Sequence, residues 1–350
     1  MSWRIKAGDR VVPPVAASRR GPVAFLAAVA LWFASASASA QVLVVLSDAS
    51  MGYETVAAEL RSGLQPLRGG HLRIDTVTAA RLTGVGAPTF DAYELVVTVG
   101  LAAAQGVMSR EDARAKPPLT LCLLIPRQSF ERLASSRASE RERRLSALFI
   151  DQPLSRQLDL LRIALPEKRR VGVILGPTSQ ELAGELRDQA QARTLHLTVA
   201  TVNEPSGVYA ALQTVIPESE MLLLLPDPAA TNADTVYGLL VTSYRAQVPV
   251  VGFSEGLLNA GALVSLFSTA GQQGRQGAEI ATRILTQGGG LPAPQYPKYF
   301  TVRVNASVAR SLGLHLPSQE ALQTALGDGG RAADVPGAAT RDGATLRGEP

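Results

Sequence analysis

Short apolar runs alternate with longer segments of helical period along most of the chain. VLVVL at 42–46, ELVVTVG at 94–100, LTLCLLI at 119–125, RVGVILG at 170–176, MLLLLPD at 221–227 and PVVGF at 249–253 show no polar alternation. They read as strands covered on both faces. Tyr53, Val56, Ala57, Leu60, Leu64 and Leu67 recur at helical spacing between two such runs; Leu154, Leu158, Leu161 and Leu165 do the same further on. This alternation predicts βαβ units and parallel sheets with helices on both sides.

Weaker runs fill the pattern: LRIDTV at 72–77, ALFID at 147–151, HLTVATV at 196–202, ALVSLF at 262–267 and YFTVRVN at 299–305. Four strands precede Pro126, and the pattern restarts after ALFID. At 350 residues the chain also exceeds one ordinary core of roughly 100–200 residues. The reading is therefore α/β, with two doubly wound parallel-sheet lobes and a hinge of crossover strands. Its expected boundaries are residues 41–147 plus 253–288 for the first lobe and 148–252 plus 289–317 for the second. Residues 318–350, rich in Gly, Ala, Arg and Asp, are expected to form a disordered tail.

The first 40 residues change the charge balance. Arg4, Lys6, Arg10, Arg19 and Arg20 precede the apolar run VAFLAAVALWF and the small residues ASASASA, the composition of a cleaved export signal. A cut after Ala40 would remove five basic residues and one acid, leaving 29 of each. The formal charge of +4 thus belongs largely to the signal, and no basic stripe remains to support nucleic-acid binding. Cys122, the single cysteine, lies inside a strand far from the cut. It reads as a structural thiol, and a lipid anchor is not expected.

The order of SALFIDQPLSRQLDLLRIALPEKRRVGVILGPTS, MLLLLPDP, PVVGFSEGLLNAGALVSLF, GQQGRQGAEIATRIL and YFTVRVNASVARSLGLHLP resembles the substrate-binding proteins of ABC transporters, the family that includes tryptophan- and tyrosine-binding members. The likeness spans roughly residues 94–317. It implies a type I periplasmic binding protein fold that closes by a hinge around a small polar ligand, an amino acid by this resemblance. It further implies a periplasmic location, a monomer, delivery to an ABC permease in the inner membrane, and neither cofactor nor catalytic residue. A ligand-sensing subunit and an α/β hydrolase or isomerase stand as alternatives.

Ligands of parallel sheets bind beyond the carboxyl ends of strands, where loop amides and helix N-termini are exposed. An amino acid's carboxylate would need amides, for which Gly100, Ala102, Thr178 and Ser179 are placed. Its ammonium would need a carboxylate, for which Asp48, Asp151, Asp227 and Glu255 are candidates. Ser47 shares the first strand-end loop. Thr178 and Ser179 equally suit helix caps, and Asp227-Pro228 a turn. Asp151 and Gln152 end an apolar strand where one half gives way to the other, and Ser254 and Glu255 end PVVGF similarly. The loop after Phe253 is expected to return the chain to the first lobe. Tyr53, Tyr237 and Phe253 are expected to pack in the core rather than stack on ligand.

His71, His196 and His315 lack metal-ligand spacing, so no metal site is expected. The chain contains no Walker A lysine.

Overall fold

The computed structural model describes residues 41–70, 72–111, 118–136, 144–287 and 290–329. The expected export signal and the end of the expected tail lie outside the described residues.

The first sheet has five strands in the order β2-β1-β3-β4-β5. They are β1 (Gln41–Leu46), β2 (Arg73–Thr78), β3 (Leu95–Val99), β4 (Leu119–Ile125) and β5 (Leu145–Phe149), all paired in parallel. β1, β3 and β5 are buried almost throughout, as both-face coverage requires. Helices α1 (Met51–Leu64) and α2 (Leu101–Glu111) follow β1 and β3, and α3 (Arg127–Ser135) follows β4. β4 carries an irregularity between Leu123 and Ile125, with Leu124 at φ 52°. This bulge bends the strand end just before Pro126.

The second sheet has six strands in the order β11-β10-β9-β8-β6-β7. Its members are β6 (Arg170–Leu175), β7 (His196–Thr201), β8 (Met221–Leu223), β9 (Val250–Gly252), β10 (Val264–Phe267) and β11 (Thr301–Val304). Only the β10–β11 pair is antiparallel. Helices α4 (Leu154–Ala164), α5 (Ala183–Gln191), α6 (Val208–Val215) and α7 (Ala233–Arg245) belong to this half, as does the short α8 (Glu255–Ala260). α9 (Ala270–Gln287) crosses back, and its Ala278, Ile280, Ala281 and Ile284 join the core of the first sheet beside α1.

The chain therefore passes between the sheets three times: at 150–153, at Ser268–Thr269 and at 296–300. Gln295 anchors the third passage on the first sheet, since its amide donates to the Ala147 carbonyl at 2.9 Å and Phe149 N donates to its carbonyl at 3.0 Å. One hydrogen-bond chain links all three passages. Gln152 Nε2 donates to Ser268 Oγ at 2.9 Å, and Ser268 Oγ donates to the Tyr299 carbonyl at 2.6 Å. Behind it the buried Arg156 donates to Gln152 Oε1 and to the Pro297 carbonyl, and stacks on the Phe300 ring.

Four expected boundaries move. The second lobe does not resume at 289, because Leu291 packs on the first lobe's core and Gln295 pairs with the first sheet, so the chain leaves that lobe only at 296. β5 runs to Phe149 in the first sheet, so the first passage begins at 150. Residues 253–267 stay with the second sheet, because β10 pairs with β9; the return to the first lobe comes after Phe267, not after Phe253. After the short α10 (Ala306–Ser311), Gln319–Gly329 forms a further helix, α11, instead of beginning a tail. Leu322 and Leu326 are buried in the second lobe's core, while Gln319 and Gln323 accept from the amides of Val304 and Val302 at 2.9 Å each. The helix thereby satisfies the edge of β11 that no strand pairs.

Candidate functional site

Where the passages meet, a cavity of about 440 Å³ opens between the lobes. Ile150, Asp151 and Gln152 come from the first passage, Ser268 and Thr269 from the second, and Ala270 from the start of α9. Pro126 contributes from the end of β4, while Pro226, Phe253, Ser254 and Glu255 stand at strand ends of the second sheet. Most of the wall is apolar. Ile150 is 40% exposed although it is a large aliphatic side chain, which fits a residue turned toward the cleft.

Asp151 is the distinctive polar group of this wall. Its Oδ2 accepts from Arg127 N, the first amide of α3, at 2.6 Å. Burial pushes its carboxyl up to about 6, against the lowering effects of that hydrogen bond and of the Arg127 charge. The Arg127 guanidinium is directed elsewhere: it donates to Glu131 Oε1 at 2.8 Å, Glu185 Oε2 at 2.9 Å and Tyr296 Oη at 2.8 Å. Burial lowers the Arg127 pKa, but these partners outweigh it and hold the pKa above the ordinary value.

Ser254 caps α8, its Oγ accepting from Leu257 N at 3.1 Å. Glu255 pairs with Arg303 across the β10–β11 edge. A second cavity of about 400 Å³ shares Phe253 and Ser254 with the first and is lined by Val236, Tyr237 and Leu257. Tyr237 is 77% exposed there, so it is not the core residue its sequence position suggested. Phe253, partly buried, lines both cavities.

Four sequence candidates thus share the cavity wall: Asp151, Gln152, Ser254 and Glu255. The others serve local structure. Asp227 is 3% exposed and accepts from Thr178 N, Ser179 N and Ser179 Oγ through one oxygen and from Ala229 N and Ala230 N through the other. Burial raises its pKa, yet these donors prevail and hold it below the ordinary carboxylate value. The amides of Thr178 and Ser179 are consumed by that carboxylate and are not offered to a ligand. Gly176 is glycine for the same reason, since a Cβ there would stand 2.0 Å from Asp227 Oδ1.

Ser47 and Gly100 form a tight corner within the first lobe, and Ala102 is exposed in the first turn of α2. Ser47 Oγ donates to the Val99 carbonyl and accepts from Ala103 N, each at 3.0 Å. Gly100, at φ +89°, brings its backbone against Ser47 Oγ and the Tyr53 ring, where any side chain would clash. Asp48 is exposed and accepts from Ser50 N at 2.8 Å. None of these four lines the described cavity. Ser268 and Thr269 do line it and were not singled out, although they end VSLF just as Ser254 and Glu255 end PVVGF; the strand-end rule identifies both pairs.

Two parallel-sheet lobes, three passages and a cavity at their junction define a type I periplasmic binding protein architecture. Solved structures share it. A conserved domain protein from Vibrio cholerae O1 biovar El Tor is 22% identical, with a TM-score of 0.56 over 82% of this chain and 98% of that one. An ABC domain in complex with L-Trp from Streptococcus pneumoniae is 15% identical, with a TM-score of 0.56 over 82% and 98%. The ligand-free, open structure of a substrate binding protein with adhesive properties from Clostridium difficile is 15% identical, with a TM-score of 0.63 over 80% and 97%. No curated protein matches the chain. Residues 150–325 match the family described as ABC transporter substrate binding protein, and the chain belongs to that family. No helix among the described residues is long and apolar enough to cross a membrane.

Proposed function

We propose that the protein is the exported receiver of an ABC importer: a monomer that encloses one small amino-bearing solute and presents it to a permease. The observation that carries this reading is the cavity at the three passages, with walls from both lobes. A solute seated there contacts the elements that must rearrange when the lobes move, so its binding energy biases the hinge directly. Asp151 is the group placed to receive an ammonium, and Ile150, Phe253 and Phe267 to enclose an apolar body.

A thermal-shift screen of the protein from residue 41 onward against amino acids, amines, sugars and organic acids tests the reading. A solute at 100 times its Kd should stabilise the protein by about 2.7 kcal/mol. Replacing Ala270 with Phe, which fills the cavity, should remove that shift. A shift that survives Ala270→Phe would place the solute elsewhere and reject the cavity as the site.

A further inference from the structure

We propose, building on the cavity as the ligand site, that it selects an organic monocation: a protonated amine on an apolar body, without a free carboxylate. Among the described residues, the two ionisable side chains on the wall, Asp151 and Glu255, are both acids, and no lysine, arginine or histidine lines the cavity. The nearby guanidiniums are already engaged. Arg127 is held by Glu131, Glu185 and Tyr296, Arg303 pairs with Glu255, and Arg156 lies buried behind the wall on Gln152 and the Pro297 carbonyl. Asp151 has no basic side chain in ion-pair contact among the described residues; its partner is a backbone amide.

The hydrogen-bond donors that an anion would need are partly engaged. Thr269 N donates to Gln272 Oε1, Gln272 N to Thr269 Oγ1 and Leu257 N to Ser254 Oγ, so one amide in the first turn of each of α9 and α8 is taken by its own cap. Gln152 Nε2 is committed to Ser268, whose hydroxyl donates to the Tyr299 carbonyl. A carboxylate brought into this space would lose its hydration beside the Asp151 carboxylate and the Glu255–Arg303 pair and gain no uncommitted cation, an arrangement that opposes binding. An ammonium would meet the Asp151 carboxylate, with Ile150, Phe253 and Phe267 around its carbon skeleton.

The test is calorimetric titration of the wild-type protein with two matched series: 2-phenylethylamine, L-phenylalanine and 3-phenylpropionate, then tryptamine, L-tryptophan and indole-3-propionate. At pH 7.5 the amine of at least one series should bind ten-fold or more tightly than its amino acid, and the acids should give no heat of binding. Asp151→Asn should weaken the amine at least ten-fold while leaving the unfolding midpoint in the absence of ligand at or above that of the wild type. An amino acid that binds as tightly as its amine, or an amine unaffected by Asp151→Asn, overturns the charge assignment. Silence from every amine overturns it too. The underlying cavity reading fails separately, if any solute that binds is indifferent to Ala270→Phe.

Discussion

Asp151 and Asp227 follow PVVGF-like apolar strand ends in the sequence, yet their surroundings push their carboxyls in opposite directions. Asp227 is saturated by amides and a hydroxyl, so its charged form is favoured; Asp151 has one amide and an apolar surround, so its neutral form is favoured. Their contributions to stability therefore run oppositely with pH. Asp227, with a depressed pKa, stabilises the fold above the ordinary carboxylate range and loses that contribution as pH falls through its folded value. Asp151, raised to about 6, contributes fully below the ordinary value of 3.8 and loses that contribution as pH rises through about 6. Urea denaturation at pH 4 and 7.5 should show Asp151→Asn gaining on the wild type between the two. Asp227→Ala should cost about 3–5 kcal/mol at pH 7.5, because several buried donors lose their acceptor at once. A pH-independent gap for Asp151→Asn would contradict the burial argument. These two residues also show what a sequence conveys about a site. Both sit at strand ends, which is legible; which one faces solute depends on whether a neighbouring loop spends its amides on the carboxylate. That loop, Gly176–Ser179, is 48 residues away from Asp227 in the case of Ser179. Tyr237 escaped for a related reason: a helical position next to buried Leu239 and Leu240 reads as core, but the helix turns it into the second cavity.

At the scale of elements, the strands buried on both faces were plain in the hydrophobic pattern, because a parallel strand covered twice cannot contain polar alternation. What the pattern left ambiguous was allegiance. β10 is as apolar as β9, and nothing in VSLF says whether it joins the second sheet or starts the return; its pairing with Val251 and Gly252 decides the matter through contacts remote in sequence. α11 was missed because composition dominated the reading of residues 318–350, although Leu322 and Leu326, with Gln319 and Gln323, already repeat at one-turn spacing. The pairing of a glutamine side chain with each of two β11 amides makes this helix a cover for an open sheet edge. Ending the chain at Pro317 should therefore lower the unfolding midpoint and promote association through β11, whereas ending it at Gly329 should do neither. Differential scanning calorimetry with analytical ultracentrifugation distinguishes the two. Equal midpoints and equal monomer fractions would show that the helix rests on the lobe without supporting it.

For the whole molecule, the passages and the ion pairs play different parts. The Gln152–Ser268–Tyr299 chain joins the passages to one another, so under the proposed hinge motion it can persist, because all three residues belong to the passages themselves. Arg127 is different. It begins α3 in the first lobe and reaches Glu185 on α5 in the second, so this contact must change whenever the lobes separate. Tyr296 in the third passage holds the same guanidinium from the hinge side, and its phenol is pushed up to about 12 by burial, so it stays a neutral partner throughout the physiological range. With side chains 22% and 37% exposed, the Arg127–Glu185 pair is within reach of solvent ions, and its coupling should be modest, about 1 kcal/mol or less. That is still enough to alter a hinge equilibrium several-fold, since 1.4 kcal/mol is a factor of ten. A distance measurement between labels on the two lobes should show a broader distribution for Glu185→Gln than for the wild type without ligand. Raising the salt concentration ten-fold should broaden the wild type toward the variant and leave the variant unchanged, because only the wild type has an interlobe attraction to screen. Identical distributions at low salt would show that the passages alone set the angle between the lobes, and that Arg127 serves only to anchor the start of α3 beside Asp151.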